Sequence, residues 1–119
     1  MVDLKELKDG YEDYIEGARL VEESGNYKSS VNLYFKALTS LVDYILKKEI
    51  GKAPDNHGER FRMTQKEFID VYRVLDTVFS TYRDLYTQER GEKHVRRIKD
   101  GIGKIIKNQG LGKEFEIPN

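Results

Sequence analysis

The chain has 119 residues with 21 basic and 21 acidic side chains, which predicts one domain with a single core and no overall attraction to polyanions. Any nucleic-acid binding must come from a local patch. The absence of cysteine excludes a disulfide framework, thiolate-bound zinc and a thiol nucleophile, and the opening MVDLKELKDG lacks the apolar stretch of a secretory signal. The expectation is a cytoplasmic protein with no membrane span.

Leu4, Leu7, Tyr11, Ile15, Ala18 and Val21 or Leu20 recur every three or four positions, the helical period, with Asp3 and Glu6 as a start signal and Ser24-Gly25 as a stop. A second helix follows, capped by Asn26. Its stripe is the strongest in the chain, with Val31, Tyr34, Phe35, Leu38, Leu41, Val42, Ile45 and Leu46, and it should run to about Ile50 and end at Gly51. The stretch from Gly51 to Met63, with Pro54 and Gly58, reads as the longest connection, with room for a short helical turn capped by Asn56 and Glu59.

Thr64 and Glu67 form a second capping box, predicting a third helix from there to near Gly91 with Phe68, Val71, Tyr72, Leu75, Val78, Phe79, Tyr82, Leu85 and Tyr86 on one face. A fourth helix from about Glu92 to Asn108 carries Val95, Ile98, Ile102, Ile105 and Ile106. Gly101 and Gly103 within it each cost about 1 kcal/mol of helix propensity relative to Ala, which close approach to another backbone would explain. Residues 110–119 read as an extended or loosely docked tail. The predicted fold is a single all-α domain over residues 1–119, an antiparallel bundle of four helices, or five if the long connection is helical.

Residues 1–25 hold three basic and eight acidic side chains, whereas residues 90–107 hold Arg90, Lys93, Arg96, Arg97, Lys99, Lys104 and Lys107 against Glu92 and Asp100. If the first and last helices are neighbours, the two charge runs neutralise each other. That pairing is the expected arrangement; the alternative is that Arg90, Lys93, Arg96, Arg97, Lys104 and Lys107 form a phosphate-contacting face.

Two histidines, His57 and His94, are too few for a multi-histidine metal centre, and the phosphate-loop and dinucleotide glycine motifs are absent. No metal and no cofactor is expected. Arg90 and His94 are close enough in sequence to hold one phosphodiester, the imidazole moving protons and the guanidinium stabilising charge. An exposed histidine at a helix start is the plainer reading. His57, in Pro54-Asp55-Asn56-His57-Gly58-Glu59-Arg60, reads either as a loop ligand with Arg60 beside it or as a local cap. Arg83 and Asp84, between Tyr82 and Tyr86, should point away from the core stripe.

Gly25-Asn26-Tyr27 with Val31, Tyr34, Ala37-Leu38 and Leu41, then Pro54 and His57, and Tyr82-Arg83-Asp84 late in the third predicted helix, resemble the HEPN domains of archaea and bacteria. The resemblance covers nearly the whole chain and implies a four- or five-helix bundle that forms a homodimer. It also implies association with nucleotide or RNA and with a minimal nucleotidyltransferase-type partner, as in toxin and antitoxin pairs. Active members are metal-independent ribonucleases whose motif is Arg, a polar residue, then His after four to six intervening residues. Arg83 and Asp84 match its start, but the histidine window falls on Gln88, Glu89 and Arg90. The expectation is therefore a non-catalytic module that binds through Arg83, Asp84, Tyr86, His57 and Arg60. The alternatives are a ribonuclease using Arg83 with His94 or His57, or a purely structural helical adaptor. Gly25-Asn26-Tyr27, Tyr34 and Ala37-Leu38 also resemble a tetratricopeptide helix pair, although no second copy follows at that repeat's period.

Overall fold

The computed structural model describes residues 2–84 and 91–119, apart from the side chains of Thr81, Tyr82 and Asp84. The described residues form five helices: α1 (Leu4–Glu23), α2 (Tyr27–Ile50), α3 (His57–Glu67), α4 (Ile69–Asp84) and α5 (Gly91–Asn108). There is no strand among the described residues, so the chain is an all-α bundle.

The first two helices form where their stripes and caps require. Asp3 Oδ1 accepts from the Glu6 amide at 2.8 Å, and Asn26 Oδ1 accepts from the Ser29 amide at 3.2 Å, each satisfying an amide that the first helical turn leaves open. Gly17 lies against Leu33 and Gly10 against Ser40, so α1 and α2 form an antiparallel hairpin. Gly91 meets Tyr27 and Lys99 lies over Tyr34, so α5 runs in the direction of α2. The shared core is built from Tyr11, Tyr34, Leu38, Leu41, Leu75, Ile98, Ile102 and Ile106, all fully buried.

The third predicted helix is two helices, and the first begins earlier than the Thr64 capping box suggests. Asn56 is the real cap, accepting from the Glu59 amide at 2.9 Å, and His57 is the first helical residue instead of a loop residue. Thr64 is buried inside α3, its hydroxyl donating to the Arg60 carbonyl at 2.9 Å, so it cannot cap anything. The helix breaks at Phe68, whose φ of −141° and ψ of 74° lie outside the helical region. That break turns α4 so that Val71, Val74, Leu75 and Val78 face the core. Leu85 and Tyr86, expected on the same stripe, lie outside the described residues.

The tail is docked rather than loose. Gly110, with φ of +67°, ends α5 in a Schellman turn: its amide donates to the Lys107 carbonyl and the Leu111 amide to the Ile106 carbonyl. Leu111 and Phe115 then enter the core, and the Tyr11 hydroxyl donates to the Glu116 carbonyl at 2.6 Å. The glycines of α5 do sit at close approaches, but to side chains. A Cβ on Gly101 would come within 3.0 Å of Val74 and Val78, and one on Gly103 within 3.1 Å of Ile117.

Candidate functional site

Two groups of polar side chains stand out from this scaffold, one at the start of α3 and one along α5. At the first, Asp43 projects from the otherwise apolar stretch Leu41–Leu46 of α2. Such a carboxylate needs a partner, and Arg60, one turn into α3, supplies it with two parallel hydrogen bonds: Nε to Oδ1 at 2.7 Å and Nη2 to Oδ2 at 2.9 Å. Both side chains are almost enclosed, at 10% and 13% exposure. Burial pushes the Asp43 carboxyl above its ordinary value, while the Arg60 guanidinium pulls the other way. With a donor on each oxygen, the group is a carboxylate at neutral pH.

The remaining arm of Arg60 defines His57. Nη1 lies 2.7 Å from His57 Nδ1, and a guanidinium has no lone pair to offer, so Nδ1 is the acceptor and the neutral ring carries its proton on Nε2. Partial burial and then the Arg60 charge hold the His57 pKa below its ordinary value, with Asp43 opposing them. The ring also packs against Phe35 at 5.8 Å and Phe79 at 6.0 Å. Arg83, exposed near the end of α4, lies over the same Phe79 ring at 5.3 Å. His57, Arg60 and Arg83 are thus brought to one end of the bundle.

The sign of the resulting pH dependence is fixed. Because the folded His57 pKa is depressed, the unfolded chain takes up a proton near pH 6.5 before the folded one does, and stability falls as pH drops below that value. The raised Asp43 acts oppositely, from its ordinary carboxylate value upward. Urea midpoints should therefore fall between pH 7.5 and 5.5 in the natural protein. In His57→Asn, which keeps an acceptor for Arg60 and does not titrate, that part of the fall should disappear; an unchanged fall would assign it elsewhere.

His94 does not fit the expectation of an exposed histidine at a helix start. It is only 5% exposed, in the first turn of α5 and on the same face as Val95 and Ile98. Arg83 is on the surface of α4 and His94 is in the interior. The Asp84 side chain, Tyr86 and Arg90 lie outside the described residues.

The charge runs behave differently from neighbouring faces that neutralise each other. α2 lies against both α1 and α5, and no Cα of α1 comes within 8 Å of one in α5. One ion pair joins them: Lys99 Nζ reaches Glu22 Oε2 at 3.0 Å, and Tyr34 donates to the same carboxylate at 2.7 Å. Lys93, Arg96, Arg97, Lys104 and Lys107 are exposed and form no ion pair with any described residue. They cover the outer face of α5 over four turns.

Among the described residues there is no group of three or more His, Asp or Glu side chains arranged to hold a metal, and no helix long and apolar enough to cross a membrane. Sequence reasoning singled out His57, Arg60 and Arg83 but passed over Asp43 and Phe79, which hold them. A lone acid inside an apolar helical stripe was the available signal for Asp43. In comparisons with known proteins, no family model, no curated protein and no solved structure matches this chain.

Proposed function

We propose that the protein is a non-catalytic, HEPN-like helical module that binds single-stranded RNA through the outer face of α5, working as a homodimer with a nucleotidyltransferase-type partner. The observation that carries RNA binding is the row of Lys93, Arg96, Arg97, Lys104 and Lys107, exposed and in no ion pair with a described residue. Such a row gains affinity by releasing counterions from a phosphate backbone. The dimer and the partner rest on the family resemblance alone.

The geometry at α3 supports the non-catalytic half of the reading. A general base for 2′-hydroxyl attack needs an accessible lone pair, and in neutral His57 the only one accepts from Arg60. His94 has the right chemistry but is buried. Titration of a labelled single-stranded RNA over a range of salt tests both halves. Replacing Arg96, Arg97, Lys104 and Lys107 with Ala should flatten the slope of log affinity against log salt by about 0.7 per charge. The RNA should be recovered uncut in the presence of a chelator. An unchanged slope overturns the RNA face, and metal-free cleavage abolished by Arg83→Ala and by His94→Ala overturns the non-catalytic reading.

A further inference from the structure

Beside the basic row, α4 and α5 separate into a groove of about 410 Å³, within the range of roughly 300–1,000 Å³ usual for small-molecule sites. Its floor is apolar, formed by the buried Val74 and Val78 and by Gly101, where a Cβ would lie 3.0 Å from the methyl groups of both valines. Its walls are charged. Arg97 and Lys104 belong to the row on α5, and Arg73 faces them from α4. Asp70 and Asp100 also line the groove.

These five charged side chains are exposed, and none forms an ion pair with a described residue, although Asp100 is three residues from Arg97 and four from Lys104. Both signs of charge remain for a ligand. The cations suit phosphate and the floor suits the face of an unstacked base, whereas a carboxylate suits neither phosphate nor an acidic peptide. What a carboxylate accepts from is an N–H donor, and among base edges the exocyclic amino group of cytosine is the usual partner of Asp.

We propose that this groove is a base-reading subsite for single-stranded RNA: Arg73, Arg97 and Lys104 hold the flanking phosphates, and Asp70 and Asp100 accept from the exocyclic amino group of a base lying on Val74 and Val78. The proposal rests on the reading of α5 as an RNA face and adds to it a direct preference among bases. Single-stranded RNA is where such reading operates, because its base edges are free. Uracil presents its one ring N–H between two carbonyl oxygens, which a carboxylate repels. Cytosine should therefore be favoured over uracil.

Fluorescence anisotropy with short oligocytidylate and oligouridylate RNAs tests this. The natural protein should prefer oligocytidylate by about tenfold, the scale of one hydrogen bond to a charged group. Asp100→Ala should erase that preference, because oligocytidylate loses its acceptor while oligouridylate is relieved of a repulsive charge, and Asp70→Ala should act in the same direction. Arg73→Ala should weaken both RNAs alike and flatten the salt slope by about 0.7.

Equal affinity for the two RNAs, or an Asp100→Ala variant that tightens both equally and keeps their ratio, overturns the subsite. So does an Arg73→Ala variant that binds as the natural protein does while the α5 substitutions still flatten the slope; the RNA face then stands without the groove. If neither RNA binds, the reading of α5 falls and the subsite with it. Polyglutamate held as tightly as oligocytidylate would assign the groove to an acidic protein and overturn the proposal. Thermal melts of each variant check that the bundle is intact.

Discussion

Arg60→Ala should lower the unfolding free energy by about 3 kcal/mol, the low end of the range for removing one partner of a buried ion pair. The reason lies with the residue left behind. Asp43 is 13% exposed and keeps its charge because two Arg60 nitrogens donate to it; without them it must find water through the α2–α3 contact or take up a proton. The same substitution releases His57 from its tautomer, since Nδ1 loses its donor. Arg60→Lys keeps the charge but offers one ammonium in place of a planar fork, so it should recover only part of the loss. Asp43→Leu combined with Arg60→Met should recover most of it, because replacing both partners with apolar groups leaves no orphaned charge. Urea unfolding of the four proteins supplies the measurement. A cost below about 1 kcal/mol for Arg60→Ala would mean that the pair is solvated in the folded state.

That pair depends on contacts between distant segments, which a sequence encodes less openly than its helix boundaries. Helix stripes and caps are local, so Asp3, Asn26 and Gly51 marked boundaries of α1 and α2 that the structure reproduces. The start of α3 was also written locally, in Asn56 and Glu59, but the pattern of Thr64 and Glu67 imitated a second start. A Thr-x-x-Glu spacing cannot reveal whether the hydroxyl faces a free amide or a carbonyl of its own helix. Thr64 does the latter, because it lies one turn after Arg60 on the face that α3 buries.

Contacts between distant segments were less legible still. The acidic start and basic end of the chain looked complementary, yet whether they touch depends on which helices are neighbours, and α2 lies against both. The glycines of α5 signalled a close approach correctly, but not that its partners would be the methyl groups of Val74, Val78 and Ile117. His57 was visible as a candidate from its neighbours. Its tautomer depended on Asp43, fourteen residues earlier, because only the carboxylate fixes the orientation of the guanidinium.

Phe115→Ala should cost about 4 kcal/mol, in the range for removing a large aromatic side chain from a core. The residue sits in the tail that sequence periodicity could not place, yet it is 2% exposed and stands edge-on to both Tyr11 and Tyr44, with ring centres 5.0 and 4.8 Å away. Its ring therefore joins the tail to α1 and α2 at once. Losing it removes the transfer energy of the ring and leaves a cavity between Tyr44 and Tyr11, the latter held by its bond to the Glu116 carbonyl. Collapse is restricted, so the penalty should be nearly complete. By comparison Tyr11→Phe gives up that one hydrogen bond and should cost about 1 kcal/mol. The tail packs on the inner side of α5, where Ile117 meets Gly103, while Arg97 and Lys104 lie on the outer side. Phe115→Ala should consequently shift the urea midpoint strongly and leave the salt slope of RNA binding unchanged at temperatures where the bundle is folded. A cost near 1 kcal/mol would show that α1 and α2 close over the vacancy, and that the tail is an accessory to the core instead of part of it.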